Sequence, residues 1–262
     1  MKAEEYIKNN DLAAALETLK KEISLEPGRA DLRYFLYQLF VFCGDFDRAE
    51  SQLKLAAQLD KELESTSLIY SRLMEAEKLR LEVAAGSQTP LILGEPEDWM
   101  AWLFEANRLL SAGDVKASTD LRQAAFESMP AVAGTFNGAA FEWIADQDTR
   151  YGANLECFLH GKYYWVPFSR VKALLVEGEP VSYTELLYPK ATLSLRTGAD
   201  LDVMLFARYP AEYSAEMNQV ALNRMTEWTD VNDYTALGRG QRMFCMNDSE
   251  APVLELRNLE FE

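Results

Sequence analysis

Apolar residues recur at helical spacing through the first half of the chain and then switch to alternation. From residue 3 to about 60 they fall in short stripes separated by two nearly identical breaks. Asn10-Asp11-Leu12 opens a segment that Gly44-Asp45-Phe46 opens again 34 residues later. At the same offset Ala15 matches Ala49, Leu19 matches Leu53, Leu25-Glu26 matches Leu59-Asp60, and Ala3 and Tyr6 match Tyr37 and Phe40. A fixed period of this length is the mark of a helix-pair repeat of the tetratricopeptide kind. Ala15 and Ala49 are small enough to let paired helices approach closely. Gly44 can take the left-handed conformation that ends a helix. Asp11 and Asp45 can each cap the next helix by accepting a backbone N–H. Pro27 closes the first pair because it cannot continue a helix interior.

Beyond Lys61 the repeat blurs, but the helical period continues. Glu64 to Ala85 reads as a helix with Leu68, Ile69, Leu73, Ala76 and Leu79 on one face. Gly86-Ser87-Gln88-Thr89-Pro90 breaks it. Glu97 to Leu110 gives another amphipathic helix, Ala112-Gly113-Asp114 resembles the repeat turn, and a last helix runs to about Met129. Residues 1–129 thus read as an all-helical, TPR-like superhelix of six or seven helices.

After Pro130 the period becomes two. Thr135-Phe136-Asn137-Gly138 reads as a strand entering a turn. Leu155, Cys157 and Leu159 alternate with Glu156 and Phe158, His160-Gly161 makes a tight hairpin, and Lys162 to Phe168 runs back. Thr192 to Arg196 and Leu201 to Ala207 flank another turn. Gln241 to Met246 and Val253 to Phe261 suggest a final hairpin, and Ser214 to Glu227 reads as a helix. Residues 130–262 therefore predict a mixed, mainly antiparallel β domain with one or two helices, and the fold class is α+β.

Composition narrows function by subtraction. The 262 residues include 26 Lys and Arg, 42 Asp and Glu and one His, a net charge of −16. Binding through nucleic-acid phosphates needs a positive stripe, and an anionic membrane surface attracts bases, so neither partner fits. The acids are spread evenly and read as a solvated surface. Three cysteines at wide spacing suggest reduced thiols rather than a disulfide framework. The N-terminal residues carry acids where a signal peptide needs an apolar core, and the longest apolar stretch, Tyr34 to Cys43, is too short to span a bilayer. A cytoplasmic protein is the expectation.

Catalytic readings are weak. Glu142, Asp146 and Asp148 cluster around Trp143 and could serve acid–base work or a hard metal, which makes a hydrolase or metal enzyme the alternative reading, although the spacing is not that of a calcium loop. Cys157 and His160 could be nucleophile and base, but residues three apart on a strand face opposite ways. Gly238-Arg239-Gly240 is too short for a phosphate loop. No catalytic residue, metal site or cofactor is predicted.

The β half carries FEWIADQD (Phe141–Asp148), GKYYWVPF (Gly161–Phe168), ATLSLRTG (Ala191–Gly198), ARYP (Ala207–Pro210), TEWTD (Thr226–Asp230), GRGQRMF (Gly238–Phe244) and ELRNLEF (Glu255–Phe261). With the repeat-bearing start, these motifs make the chain resemble, over nearly its whole length, the ImpE/SciE (TagJ) family of bacterial type VI secretion accessory proteins. The resemblance implies a cytoplasmic, non-enzymatic adaptor. It would bind the N-terminal helix of the small contractile-sheath subunit (TssB/VipA type) and be linked to a ClpV-type unfoldase that recycles sheaths. It carries over no catalytic residues and names no partner-binding surface.

The repeat register supplies one candidate surface. The first helix of each pair lines a concave groove, which puts Glu4, Ile7 and Lys8 in the first pair and Asp31, Tyr34, Gln38, Val41 and Phe42 in the second on that groove. Residues 32–42 are apolar on nearly all sides, so this helix is either central or awaits an amphipathic partner helix. The competing reading is that the chain fills the groove itself. A second candidate surface is the hairpin strand with Tyr163, Tyr164 and Trp165, which could bind a partner, self-associate, or lie mid-sheet beneath a helix.

Overall fold

The computed structural model describes residues 2–247 and 249–262. Its first part contains helices α1 (Lys2–Lys8), α2 (Leu12–Leu25), α3 (Ala30–Phe42), α4 (Phe46–Leu59) and a long α5 (Glu64–Ala84), followed by α6 (Asp98–Ser111) and α7 (Val115–Ser128). Three of the links are the same turn made three times. Asn10, Gly44 and Gly113 adopt φ of 60°, 69° and 85°. Their amides donate to the carbonyls three residues back, at Ile7, Val41 and Leu110. The next amides, of Asp11, Asp45 and Asp114, donate five residues back to Tyr6, Phe40 and Leu109. That is a Schellman closure. Each aspartate then caps the following helix, accepting from the amides of Ala14, Arg48 and Ala117 at 2.9, 3.2 and 3.1 Å. Ala15 and Ala49 are fully buried where the paired helices meet.

Residues 1–129 are not entirely helical. Between α5 and α6 the chain forms a two-residue strand, β1 (Leu91–Ile92), parallel to Tyr164 and Trp165. Gly86, at φ +69°, closes the end of α5, and beyond Pro90 the Leu93 N–H reaches the carbonyl of Trp165 at 2.9 Å.

The second part is mainly antiparallel. Strands β2 (Gly134–Phe136), β3 (Ala139–Phe141), β4 (Ile144–Asp146), β5 (Asn154–Leu159), β6 (Lys162–Pro167), β7 (Val171–Val176), β8 (Lys190–Leu195) and β9 (Asp200–Leu205) precede a single helical turn α8 (Asn218–Ala221). Then follow β10 (Thr226–Asn232), β11 (Thr235–Gly240), β12 (Met243–Met246), β13 (Ser249–Pro252) and β14 (Asn258–Phe261). Nine strands form one sheet in the order β1-β6-β5-β9-β8-β7-β14-β2-β3. A three-stranded sheet, β13-β12-β4, and a separate β10-β11 ribbon complete the fold.

Two elements differ from the sequence reading. The helix expected over Ser214 to Glu227 shrinks to a 3-10 turn and α8. Asn218 and Asn223 take φ of 39° and 60°, and their side chains bond outside the segment, to Leu12 N–H and the Leu186 carbonyl. From Thr226 the chain is a strand. The final hairpin is β12 with β13, while β14 leaves it and inserts between β7 and β2 in the large sheet.

Pleating divides the interior into two cores. Tyr163 and Trp165 of β6 and Phe158 of β5 face the helices. Leu155, Cys157, Leu159 and Val166 face the opposite layer, with Phe244 and Met246 of the small sheet.

Candidate functional site

The positions predicted to line a concave groove are largely covered by the chain itself. Tyr183 stacks on Phe35 at 5.4 Å between ring centroids and meets Phe42 edge-on at 6.3 Å. Gln38 Nε2 donates to Thr184 Oγ1 at 2.8 Å. The Arg208 guanidinium donates to the carbonyls of Val41 and Phe42 at 2.9 and 2.8 Å, serving the open end of α3. Arg224 does the same for Ile7 in α1 at 3.0 Å. Ile7, Gln38, Val41 and Phe42 are therefore interior positions. Tyr34 and Glu4 are half-buried, and Lys8 and Asp31 are exposed, with Asp31 paired to Arg29. A partner helix could reach Val41 or Phe42 only by displacing the segment around Tyr183 and Arg208.

The aromatic hairpin also lies inside. Trp165 is fully buried against Phe104 and Tyr151, at 5.2 and 5.3 Å, and Tyr163 packs edge-on to Phe206. Tyr164, on the other face, is half-buried in the second core. Of the alternatives for this strand, the position beneath helices is the one observed.

The carboxylate cluster separates. Glu142 is exposed, whereas Asp146 and Asp148 are buried and belong to an ion network at the centre of the molecule. Arg80 of α5 donates to Glu77 at 2.7 Å and to Glu156 of β5 at 2.8 Å, and it stacks 4.0 Å from the Phe206 ring. Arg242 bridges Glu156 and Asp146, and Tyr163 donates to Glu156. Tyr188 donates to Glu77 and Tyr209 to Asp146, at 2.8 and 2.9 Å. Arg150 clamps Asp148, which also accepts from Gly238 N–H at 2.7 Å.

Burial disfavours charge on Glu156, yet the facing Arg242 and Arg80 outweigh it and hold its carboxyl down at about 2. Burial pushes Asp146 up to about 7, with Arg242 pulling against the shift. Every one of these carboxylates is engaged by arginine or tyrosine, so the network ties α5 to the sheet and offers no open coordination position. Among the described residues no group of three or more His, Cys, Asp or Glu could hold a metal ion. Cys157 is fully buried, with its thiol pushed up to about 12, while His160 sits exposed at the hairpin turn. No described helix is long and apolar enough to cross a membrane.

Several concavities remain on the outside, and one of them is a groove between α4 and α5. Ala57 and Ser67 form part of its floor, and Leu68 is two-thirds exposed beside it. Its rims carry the pairs Glu50–Lys54, Lys61–Glu64 and Arg72–Glu75, and it encloses about 590 Å³. The sequence reading put Leu68 and Ile69 on the core face of α5. The structure buries Leu73 and Ala76 of that predicted face, together with Tyr70 and Met74, and leaves Leu68 and Ile69 at the surface.

Comparison with known proteins supports an identification. The type VI secretion system accessory component TagJ of Pseudomonas aeruginosa is 38% identical over 262 residues, covering all of this chain and 92% of that protein. The chain belongs to the ImpE (TagJ) family. The family model described as ImpE protein matches residues 138–260, the β part. A solved structure, protein VPA1032 from Vibrio parahaemolyticus, superposes with a TM-score of 0.91 at 24% identity, covering all of this chain and 98% of that one. That likeness shows the fold. Membership in the family gives this chain an accessory role in type VI secretion.

Proposed function

We propose that the chain is a non-catalytic adaptor of the contractile sheath. It takes the amphipathic N-terminal helix of the small sheath subunit (TssB/VipA type) onto its surface and presents that subunit to a ClpV-type unfoldase. The observation that carries the reading is the α4–α5 groove. Leu68 exposes apolar area at its edge, and its rims alternate in charge. An amphipathic helix laid along such a groove buries its apolar stripe and sets its flanking charges against the rims. The half-buried Tyr34 and exposed Asp31 and Lys8 of the first groove are the alternative contacts.

Calorimetric titration with a peptide of the cognate sheath subunit's N-terminal helix tests this. Wild type should bind, Leu68→Glu should lose at least tenfold in affinity, and Tyr34→Ala should bind as wild type. Loss in Tyr34→Ala with Leu68→Glu unaffected moves the site to the first groove. No binding by wild type removes the sheath helix as partner.

A further inference from the structure

Strand β10 is seven residues long, longer than any other described strand, and it has one neighbour. Its register on β11 sets Thr226 opposite Gly240, Trp228 opposite Gly238 and Asp230 opposite Ala236. Which of these pairs exchange backbone bonds follows from the bonds around them. Gln241 N–H donates to the Met225 carbonyl at 3.0 Å, so the bonded pairs continue at every second position, Glu227 with Arg239 and Thr229 with Leu237.

The far side of β11 agrees. Gly240 N–H donates to Tyr213 Oη at 2.8 Å, Gly238 N–H to Asp148 Oδ2 at 2.7 Å and Ala236 N–H to Thr149 Oγ1 at 3.2 Å. The carbonyls of Ala236 and Gly240 accept from the amides of Thr149 and Tyr209 at 3.1 and 2.9 Å. Residues 236, 238 and 240 thus point their backbone groups into the body of the protein. Their opposite numbers Thr226, Trp228 and Asp230 point theirs away from β11, where no described residue bonds them.

The edge is also held in place. Asp148 is fully buried and clamped by Arg150, and Trp228 packs edge-on against Tyr209 at 5.7 Å. An anchored, extended row of unpaired N–H and C=O groups matches one kind of occupant, another extended strand. Charge narrows the choice. Asp230 and Asp233 are exposed and make no ion pair among the described residues, while Glu227 pairs with Arg239 across the ribbon. A second copy of this strand would oppose like charges, in a chain of net charge −16. We propose that the outer edge of β10 is a docking site for an extended segment of a partner protein bearing lysine or arginine at alternate positions. This surface and this partner conformation are distinct from the helix site on α4–α5.

The test uses the full chain and a fluorescein-labelled peptide of alternating lysine and valine, KVKVKVKVK. The control is KPPKPPKPPKPPK, which keeps five lysines but puts proline toward both edges of any strand, so it cannot form a continuous ladder. Anisotropy reads binding at low and moderate salt, and amide hydrogen exchange by NMR reads the site. The KV peptide should bind at least tenfold more tightly than the KPP peptide. It should slow exchange at Thr226, Trp228 and Asp230 and leave Glu227 and Thr229, already bonded to β11, unchanged. Asp230→Lys with Asp233→Lys should weaken binding at least tenfold. Equal binding of the two peptides, no binding of either, or protection elsewhere overturns the proposal. So does protection of the three amides that appears without peptide as protein concentration rises, because the occupant is then a second copy.

Discussion

Replacing Glu156 by Gln removes the charge on which both central arginines converge while keeping the side chain's shape. Arg80 then keeps only Glu77, and Arg242 only Asp146, as ionic partners. A carboxyl held near 2 instead of its ordinary 4.5 corresponds to about 3 kcal/mol of stability at neutral pH. Breaking a buried ion pair typically costs about 3–5 kcal/mol, which agrees. For a chain of this size the loss corresponds to a fall in Tm of roughly 5–10 °C. The pH dependence is the sharper signature. Because the folded carboxyl is depressed, its contribution is complete above the unfolded value of about 4.5 and is lost as pH falls through about 2. Asp146 acts in the opposite sense. Its raised carboxyl weakens the native state as pH climbs from about 4 to about 7, so the slope assigned to Glu156 is read below pH 4.5, where Asp146 is protonated. Urea unfolding of wild type and Glu156→Gln, followed by tryptophan fluorescence between pH 6 and 3, should show a difference of about 3 kcal/mol at pH 6 shrinking to under half by pH 3. A difference below about 1 kcal/mol, or one that does not change with pH, refutes the account of the network as the ionic tie between α5 and the sheet.

Gly44→Ala should cost about 1 kcal/mol, because φ is +69° there while the nearest atoms, in Tyr213, lie at an ordinary 3.7 Å from an added Cβ; thermal denaturation reads it, and an unchanged Tm would show that the turn is not conformationally demanding. The thiols of Cys43, Cys157 and Cys245 are all buried enough to be pushed up, to about 11, 12 and 11, so iodoacetamide at pH 8 should add nothing to native protein within minutes and three groups after denaturation. Rapid labelling of the native chain, read by intact mass, contradicts the burial described for them.

The turns were the most legible part of the chain. Asn10-Asp11, Gly44-Asp45 and Gly113-Asp114 each combine a left-handed residue with a capping carboxylate, and both requirements are local. Hairpins at Asn137-Gly138 and His160-Gly161 were legible for the same reason, with positive φ at all four positions. What could not be read was long-range. Glu156 alternates with Leu155 and Cys157 as a solvent-facing residue would, and only the arrival of α5 with Arg80 turns that face into an interior. The helix period of Ser214 to Glu227 was real, but Asn218 and Asn223 gave their side chains to α2 and to the Leu186 carbonyl instead. The residues expected to line a groove do lie on helices α1 and α3, yet the pattern held nothing about Tyr183, Thr184 or Arg208, which come from 140–170 positions downstream to cover them. The outward groups of β10 escape any reading of side chains because they belong to the backbone.

The seat of β14 has a consequence for biosynthesis. Without that strand the large sheet falls into two blocks, β1-β6-β5-β9-β8-β7 and β2-β3, with no hydrogen bond between them. As the chain leaves the ribosome, the strands flanking the gap carry open ladders until residues 258–261 emerge, more than eighty positions after β7. The nascent protein therefore passes about the last third of its translation with an unpaired interior edge on β7, the circumstance in which sheet proteins cross-pair and aggregate. Removing the last five residues, which include Leu259 and Phe261 of the second core, would leave the molecule permanently in that state, so this short truncation should drive the expressed protein into inclusion bodies.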